Sequence, residues 1–163
     1  MSQPANFFRG LFEAHLHVAN LEKAMMFYGD VLGLELGHTE AERRAAFYWI
    51  GKGRCTMLGL WEEPPWSVNE TGNKIQTQHI AFRVQFEDLA SAIQCAKQRG
   101  VEPRNFFGEI TDEPSVLAWM PAASIYFNDV DGHLLEFIAE LKSEPAADLG
   151  IMSLTEWRAA HCA

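Results

Sequence analysis

Two stretches of sequence decide the fold: Glu13-Ala-His-Leu-His-Val18 and His79-Ile-Ala-Phe-Arg-Val84. In each stretch side chains alternate between two faces with a period of two, which is the pattern of a β-strand. Each is followed by a helical pattern of apolar residues that ends at a glycine, Gly33 or Gly100. Because an internal repeat determines the architecture, we predict two related modules and expect the chemistry to lie where they meet.

The residues after each stretch predict one βαβββ module. Asn20 is a suitable N-cap for the first helix, because its side chain can accept a hydrogen bond from a free amide of the first turn. Ser153 and Glu156 match a capping box, which predicts a short helix over 154–161. The remaining patterns predict strands at 34–36, 45–50 and 56–61, and near 101–107, 116–120, 124–127 and 134–139.

The predicted fold class is therefore α+β, with two βαβββ modules and a C-terminal helix. The first module is expected at residues 11–62 and the second at residues 77–141. Breakers and polar residues indicate a linker at 63–76, and a tail with the short helix occupies residues 142–163.

Composition and charge exclude several classes of function. The chain has 163 residues, is 48% hydrophobic and carries a formal net charge of −9, which argues against a nucleic-acid or anionic-membrane partner. No apolar run approaches the roughly 20 residues of a membrane span, and residues 1–6 lack the features of a signal peptide. Three cysteines without a CxxC pair do not indicate a disulfide or thiolate–zinc framework. We expect a cytoplasmic protein.

His79 and Glu136 are the first candidates for chemistry. Glu136 lies in a predicted strand between the apolar Leu135 and Phe137, and burying a carboxylate there is costly unless something compensates its charge. A divalent cation would do so, and histidine with glutamate suits Zn, Ni, Mn, Co or Fe. The alternative is a solvent-exposed edge-strand glutamate and a hydrogen-bonded histidine.

Glu13, His15 and His17 share one face of the first strand. Their Cα atoms are spaced by roughly 6–7 Å, so all three cannot bind one ion. Glu13 holds the place in the first copy that His79 holds in the second, and is therefore preferred over His15 as a ligand. His15, or Glu13 itself, is then a candidate catalytic base, and His17 a pocket wall. Three tryptophans in strand-like segments either pack in the core or line the pocket: Trp49, Trp61 and Trp119.

Three segments resemble the vicinal oxygen chelate superfamily, which includes glyoxalase I, extradiol dioxygenases, fosfomycin-resistance enzymes, methylmalonyl-CoA epimerase and bleomycin-resistance proteins. The segment 16–34 is similar to the opening strand and helix, with Phe27-Tyr28 and the Leu-Gly exit. His79–Val84 looks like the start of the second module, and 125–137 looks like the closing hairpin that supplies the last ligand. Together the resemblance spans residues 11–141.

This resemblance implies mixed sheets that curl into an open barrel around a divalent metal, with Glu13, His79 and Glu136 as ligands. In the family the first ligand is usually His or Gln, whereas this chain has Glu13. In the glyoxalase pattern a fourth ligand, often Glu, comes from the last strand of the first module, and that strand offers Met57 or Leu58 here. The implied function is that of a glyoxalase-like metalloenzyme, which acts on a small oxygenated substrate by isomerase or lyase chemistry. The alternatives are a metal-free sequestration protein of the bleomycin-resistance kind and an extradiol-type ring-cleaving dioxygenase. A homodimer is also expected by resemblance.

Overall fold

The computed structural model describes residues 10–63 and 75–161. Residues 64–74, which make up most of the predicted linker, lie outside the described residues. The chain divides into two compact units, Met1–Gln76 and Thr77–Ala163, which we call module one and module two. None of the helices in the described residues is long and apolar enough to span a membrane.

Module one contains a four-stranded mixed sheet. Its strands are β1 (Glu13–Val18), β2 (Glu35–Glu40), β3 (Ala45–Ile50) and β4 (Thr56–Glu62), in the order β1-β4-β3-β2. Strand β1 runs parallel to β4, and the other two pairs are antiparallel. Helix α1 (Leu21–Met25) continues into a π-helical segment, Met26–Val31.

The helix of module one is capped as the sequence predicts and packs on one face of the sheet. Asn20 Oδ1 accepts a hydrogen bond from Lys23 N at 2.8 Å, and Gly33 ends the helical segment with a φ of 74°. The face of the sheet toward the helix is apolar, and Tyr48 Oη donates to Met25 O at 3.2 Å. The buried residues of this core include Leu16, Val18, Leu21, Ala24, Tyr28, Ala46, Leu58 and Leu60.

Module two contains a five-stranded mixed sheet. Its strands are β5 (His79–Arg83), β6 (Ser115–Leu117), β7 (Ala122–Asn128), β8 (Leu134–Glu140) and β9 (Ile151–Ser153), in the order β5-β8-β7-β6-β9. Strand β5 is parallel to β8 and the other pairs are antiparallel. Helices α2 (Phe86–Gln98) and α3 (Leu154–His161) complete the module, and their core includes Leu89, Ile93, Val116, Ile125 and Trp157.

The predicted α+β class, with two βαβββ modules and a C-terminal helix, is confirmed by these elements. The capping box is present: Ser153 N donates to Glu156 Oε2 at 2.8 Å, and Glu156 N donates to Ser153 Oγ at 3.2 Å. The strand β9 just before it was not predicted. It pairs with β6 and so covers an edge of the sheet.

The predicted strand 101–107 is wrong, and the predicted strand 116–120 is confirmed only at residues 116 and 117, which belong to β6. Only Arg104 of the segment 101–107 pairs like a strand residue, with Ile110 and Tyr126. The rest turns because Asn105 Oδ1 accepts hydrogen bonds from two later amides, which gives the backbone an alternative to a ladder. Trp119 is also outside any strand, because residues 118–121 form the turn between β6 and β7.

Candidate functional site

His79 and Glu136 lie on the adjacent strands β5 and β8 of module two. The register pairs Ala81 with Glu136, so His79 is diagonal to the carboxylate on the same face. His79 Nε2 lies 3.0 Å from Glu136 Oε2. The side chain of His79 is 49% exposed whereas that of Glu136 is 4% exposed, so the pair reaches from the sheet interior toward solvent.

One of the two carboxylate oxygens of Glu136 makes no hydrogen bond to the described residues. Oε1 is buried and has no hydrogen-bond partner within the described residues. A buried carboxylate oxygen without a donor or cation is costly, and such an atom in a folded protein calls for an explanation. The arrangement is therefore suited to a cation or hydrogen-bond donor that approaches Glu136 from outside the chain.

Tyr126 is a third member of this site, and the sequence analysis missed it. It pairs directly with Glu136 across β7 and β8, and its ring centroid lies 6.2 Å from that of His79. Burial, followed by the negative charge of Glu136, raises the pKa of Tyr126 to about 12. Its hydroxyl is therefore protonated at neutral pH. The connection between β7 and β8 spans residues 129–133, and the register that follows from it sets Tyr126 opposite Glu136.

The backbone before His79 is held by a buried histidine. Gln78 N donates a hydrogen bond to His133 Nδ1 at 3.0 Å, and His133 N donates to Asp129 Oδ1 at 2.9 Å. These bonds connect the start of β5 to the turn between β7 and β8. They position His79 beside Glu136 without taking part in the site.

In module one, Glu13 and His15 form a pair on the face of the sheet opposite the core. His15 Nε2 lies 3.1 Å from Glu13 Oε1. His17 contacts another carboxylate instead, with Nδ1 2.5 Å from Glu63 Oε1. The structure thus brings together two of the three predicted side chains of β1 and separates the third.

The ring of His15 lies over Gly59 of strand β4. A Cβ atom on Gly59 would stand 2.7 Å from His15 Cδ2, so only glycine leaves space for the ring at this position. Two aromatic rings surround it, with centroids 5.5 Å away for Trp61 and 6.2 Å away for Phe47. Phe47 and Gly59 were not predicted as site residues, and the pairing of β1, β3 and β4 is what reveals them.

The three predicted pocket tryptophans occupy different surroundings. Trp61 joins the His15 cluster, and its buried Nε1 has no hydrogen-bond partner among residues 10–63 and 75–161. Trp49 lies over Gly37, where an added Cβ would stand 2.8 Å from its Nε1. Trp119 is exposed in the β6–β7 turn of module two. Their role in a pocket remains a prediction.

His79 and Glu136 fit part of a divalent-metal site. An imidazole nitrogen and a carboxylate oxygen are suitable ligands for Zn, Ni, Mn, Co or Fe, and the uncompensated oxygen of Glu136 favours a cation. In the part of the chain that the structure describes, no three His, Cys, Asp or Glu side chains form a metal-binding group. Glu13 as a further ligand therefore remains a prediction.

Comparisons with known proteins extend over both modules. A sequence model of the Glyoxalase/Bleomycin resistance protein/Dioxygenase superfamily matches residues 10–137. The fosfomycin resistance protein FosX of Listeria monocytogenes is 29% identical over 134 residues, which cover 80% of this chain and 89% of FosX. The lactoylglutathione lyase of Neisseria meningitidis is 27% identical over 137 residues, which cover 78% of this chain and 88% of that enzyme.

A solved structure is also similar in both fold and sequence. It is an integron cassette protein from the mobile metagenome of the Halifax Harbour sewage outfall, with a TM-score of 0.66 and 36% sequence identity. The match covers 81% of this chain and 99% of the cassette protein.

Proposed function

Since the chain belongs to the Glyoxalase/Bleomycin resistance protein/Dioxygenase superfamily, we propose that it is a metal-dependent enzyme of the glyoxalase type. It would convert a small substrate with neighbouring oxygen atoms by isomerase or lyase chemistry. The observation that carries this proposal is the buried, uncompensated oxygen of Glu136 beside the half-exposed imidazole of His79. A purely structural carboxylate would have its hydrogen bonds satisfied within the protein.

The proposed roles follow from the environment of each side chain. His79 and Glu136 would hold the divalent ion, with Glu13 as the third ligand suggested by sequence; once bound, such an ion polarises a substrate oxygen. Tyr126 stands opposite Glu136 with its ring 6.2 Å from that of His79, and its hydroxyl would donate a hydrogen bond to an oxygen that gains negative charge. His15, which is oriented by Glu13 at 3.1 Å, is the proposed base that moves a proton.

The names of the relatives suggest which compounds to assay first. FosX is named for fosfomycin, and the second relative for lactoylglutathione. We propose both compounds as initial substrates for turnover assays. A reaction with either one would narrow the type of chemistry within the superfamily.

The metal content of purified protein tests the proposal directly. After loading with Zn²⁺ and desalting, the wild type should keep about one ion per chain, and Glu136→Gln or His79→Ala less than about one-tenth. Glu140→Gln is the matched control, because Glu140 lies on the same strand and face but is exposed and paired with Arg83. Equal metal content in Glu136→Gln and the wild type would refute the proposal.

The roles proposed for Glu13 and His15 can be separated by two further variants. Glu13→Gln should weaken metal affinity, because it removes a charged ligand. His15→Ala should keep the metal and lose turnover. If His15→Ala loses the ion while Glu13→Gln retains it, the two assignments must be exchanged.

A metal-free binding protein is the second candidate, and the aromatic cluster of His15, Phe47 and Trp61 favours it. Aromatic side chains on one sheet face suit a planar apolar ligand. Quenching of tryptophan fluorescence by an aromatic ligand, unchanged by chelator or by Glu136→Gln, would support binding without metal. A ring-cleaving dioxygenase is less favoured, because the proposed ligands include two carboxylates where the iron triad usually has one.

A homodimer also remains a proposal. Light scattering of the purified protein at several concentrations would test it.

A further inference from the structure

Module two contains a cavity of about 380 Å³, which we call the α3 cavity. It is lined by residues at the start of helix α2, at the end of strand β8 and along helix α3. Phe137, Ala139 and Leu141 occupy alternate positions along β8 and just after it, and they pack in the core with these helices. The α3 cavity therefore adjoins the core face of the sheet, whereas Glu136 points to the opposite face.

The floor of the α3 cavity is apolar. It consists of Phe86 of α2, Leu141 after β8, and Leu154 and Trp157 of α3. Trp157 is buried in the core, and the other three are only partly buried and pack against that core. Apolar surface that faces water lacks the free energy that burial provides, and a concave surface of this size is typical of a site for a small organic ligand.

Two cations without an ion pair lie beside the apolar floor. Lys142 and Arg158 line the α3 cavity and are exposed, and neither pairs with a carboxylate among residues 10–63 and 75–161. Arg158 lies over the ring of Phe86, with Cζ 5.8 Å from the ring centroid. Because this contact uses the face of the guanidinium, its N–H groups can still donate hydrogen bonds to a ligand.

The charge around the α3 cavity favours an anion. Among the described residues that line it, two carry carboxylates, Glu87 and Glu140. Glu140 is paired with Arg83, so one carboxylate stands against the two cations Lys142 and Arg158. This excess of positive charge occurs in a chain with a formal net charge of −9, so it is a local property of the cavity.

Most of the α3 cavity comes from the end of the chain. Both cations and three of the four floor residues follow residue 137, where the match to the superfamily ends. The cavity and the candidate metal site also lie on opposite faces of the sheet. The ligand of the α3 cavity is therefore separate from the substrate of the proposed reaction.

We propose that the α3 cavity binds a small organic carboxylate, whose apolar body lies on the floor and whose negative charge faces Lys142 and Arg158. This binding site goes beyond the proposed function, because it uses neither His79 nor Glu136. Its ligand class follows from an apolar floor beside cations that lack a partner of their own.

Four probes test the two parts of this ligand class. 2-Naphthoate has an apolar body and a carboxylate, 2-naphthalenemethanol has the same body without charge, 2-naphthylmethylamine has the opposite charge, and acetate has the carboxylate alone. In calorimetric titrations of chelator-treated wild type, 2-naphthoate should bind at least about tenfold more tightly than each of the other three. Equal or tighter binding of the alcohol or the amine, or no binding of 2-naphthoate, would overturn the proposal.

Removal of either cation locates the binding. Lys142→Gln and Arg158→Gln should each weaken 2-naphthoate binding by about threefold or more and leave that of the alcohol unchanged, because only charge is lost. Lys52→Gln is the matched control, because Lys52 is exposed in the β3–β4 turn of module one. Circular dichroism verifies that each variant is folded. Wild-type affinity in both cavity variants, or an equal loss in Lys52→Gln, would contradict the assigned site.

Glu136→Gln separates this inference from the proposed function. In chelator-treated protein it should bind 2-naphthoate with wild-type affinity, because Glu136 points to the other face of the sheet. If it loses 2-naphthoate binding, the ligand lies on the face of the metal site, and the inference fails while the proposed function stands. If Glu136→Gln instead keeps its metal content, the proposed function fails and the same titrations still decide the α3 cavity.

Discussion

The position of the His15 ring depends on the absence of a side chain at Gly59, where a Cβ atom would collide with the ring. An added Cβ would also stand 3.2 Å from Phe47 Cε1, so two rings occupy the space above this glycine. Because the side chain of His15 is 44% exposed, its ring can turn outward at less cost than the backbone can move. The glycine therefore controls the orientation of His15 more than the stability of the sheet.

We expect Gly59→Ala to displace the His15 ring from Glu13 with a loss of about 1 kcal/mol in stability or less. The ¹H–¹⁵N signals of the imidazole should change, and turnover should fall. Gly29→Ala is the control, because its Cβ would lie at an ordinary 3.6 Å from Tyr48. Unchanged imidazole signals in Gly59→Ala would contradict this account of the site.

At the scale of single residues, a candidate site residue can be predicted from sequence where a polar side chain interrupts an apolar strand. Glu136 was predicted as a candidate ligand in this way, because burying a carboxylate between the apolar Leu135 and Phe137 is costly. Tyr126 and Phe47 could not, because aromatic residues are ordinary in strands and only strand pairing shows what they face. A residue that serves a site through its neighbours is visible only in three dimensions.

At the scale of elements, Arg44 connects three segments of module one. It lies in the turn between β2 and β3 with a φ of 52°, and donates hydrogen bonds to Glu22 of α1 and to Glu62 of β4. Glu62 Oε2 also accepts from Leu21 N at 2.6 Å, at the start of the helix. These contacts make Arg44 a link within the fold of module one.

This link predicts acid sensitivity of module one. The guanidinium of Arg44, followed by the amide of Leu21, lowers the pKa of Glu62 below its usual 4.5. A lowered pKa in the folded state means that the stabilisation is complete above about pH 4.5 and is lost as the pH falls through the folded value. We expect Glu62→Gln to be less stable than the wild type at pH 7, with the difference shrinking toward pH 3.

Urea unfolding at a series of pH values measures this effect. Glu35→Gln is the control, because its ion pair with Arg54 joins two side chains that are both more than half exposed. That variant should differ little from the wild type at any pH. A constant difference between Glu62→Gln and the wild type from pH 7 to pH 3 would contradict the role of the ion pair.

The tail of module two gives a second prediction for an element. Its helix α3 begins at the capping box and places Trp157, which is 3% exposed, in the core. Ser153→Ala removes the acceptor for Glu156 N and should cost about 1 kcal/mol in unfolding free energy. Stability of Ser153→Ala equal to that of the wild type would show that the cap contributes nothing.

Helices and strands could be predicted where local hydrogen bonds define them, and could not be predicted where only pairing with a distant strand defines them. Asn20 and Ser153 mark helix starts through their own hydrogen bonds, so both starts were found correctly. Strand β9 has only three residues and is defined by its pairing with β6. No local sequence pattern indicates this pairing. The π-helical segment Met26–Val31 was missed because its apolar spacing is close to that of an α-helix.

At the scale of the whole molecule, the repeat can be compared residue by residue. Strands β1 and β5 are each paired in parallel with the last strand of their βαβββ unit, β4 and β8 respectively. Counting at equal offsets from Glu13 and His79, the place of Glu136 in module two corresponds to Gly59 in module one. The two modules thus share a scaffold and differ at the position that carries the buried carboxylate.

This register corrects the earlier assignment of that position to Met57 or Leu58. It also shows that the large and the small residue of this cross-strand pair change places between the modules. Where module two sets Ala81 beside its glutamate, module one sets His15 beside Gly59. At this point of its sheet each module pairs one large polar side chain with a small residue, and the large side chain lies on a different strand in each module. Module one supplies an imidazole, and module two supplies a carboxylate.

If Glu136 holds an ion in the folded state only, metal must stabilise the fold by mass action. An excess of Zn²⁺ of about 100-fold over its dissociation constant should add about 2.7 kcal/mol, which corresponds to roughly 5–10 °C in the midpoint of thermal unfolding. Chelator should reverse the shift in the wild type and in Glu140→Gln. In Glu136→Gln, Zn²⁺ should leave the midpoint unchanged, because the cation loses the charge that the buried oxygen provides; a full shift in that variant would place the ion elsewhere.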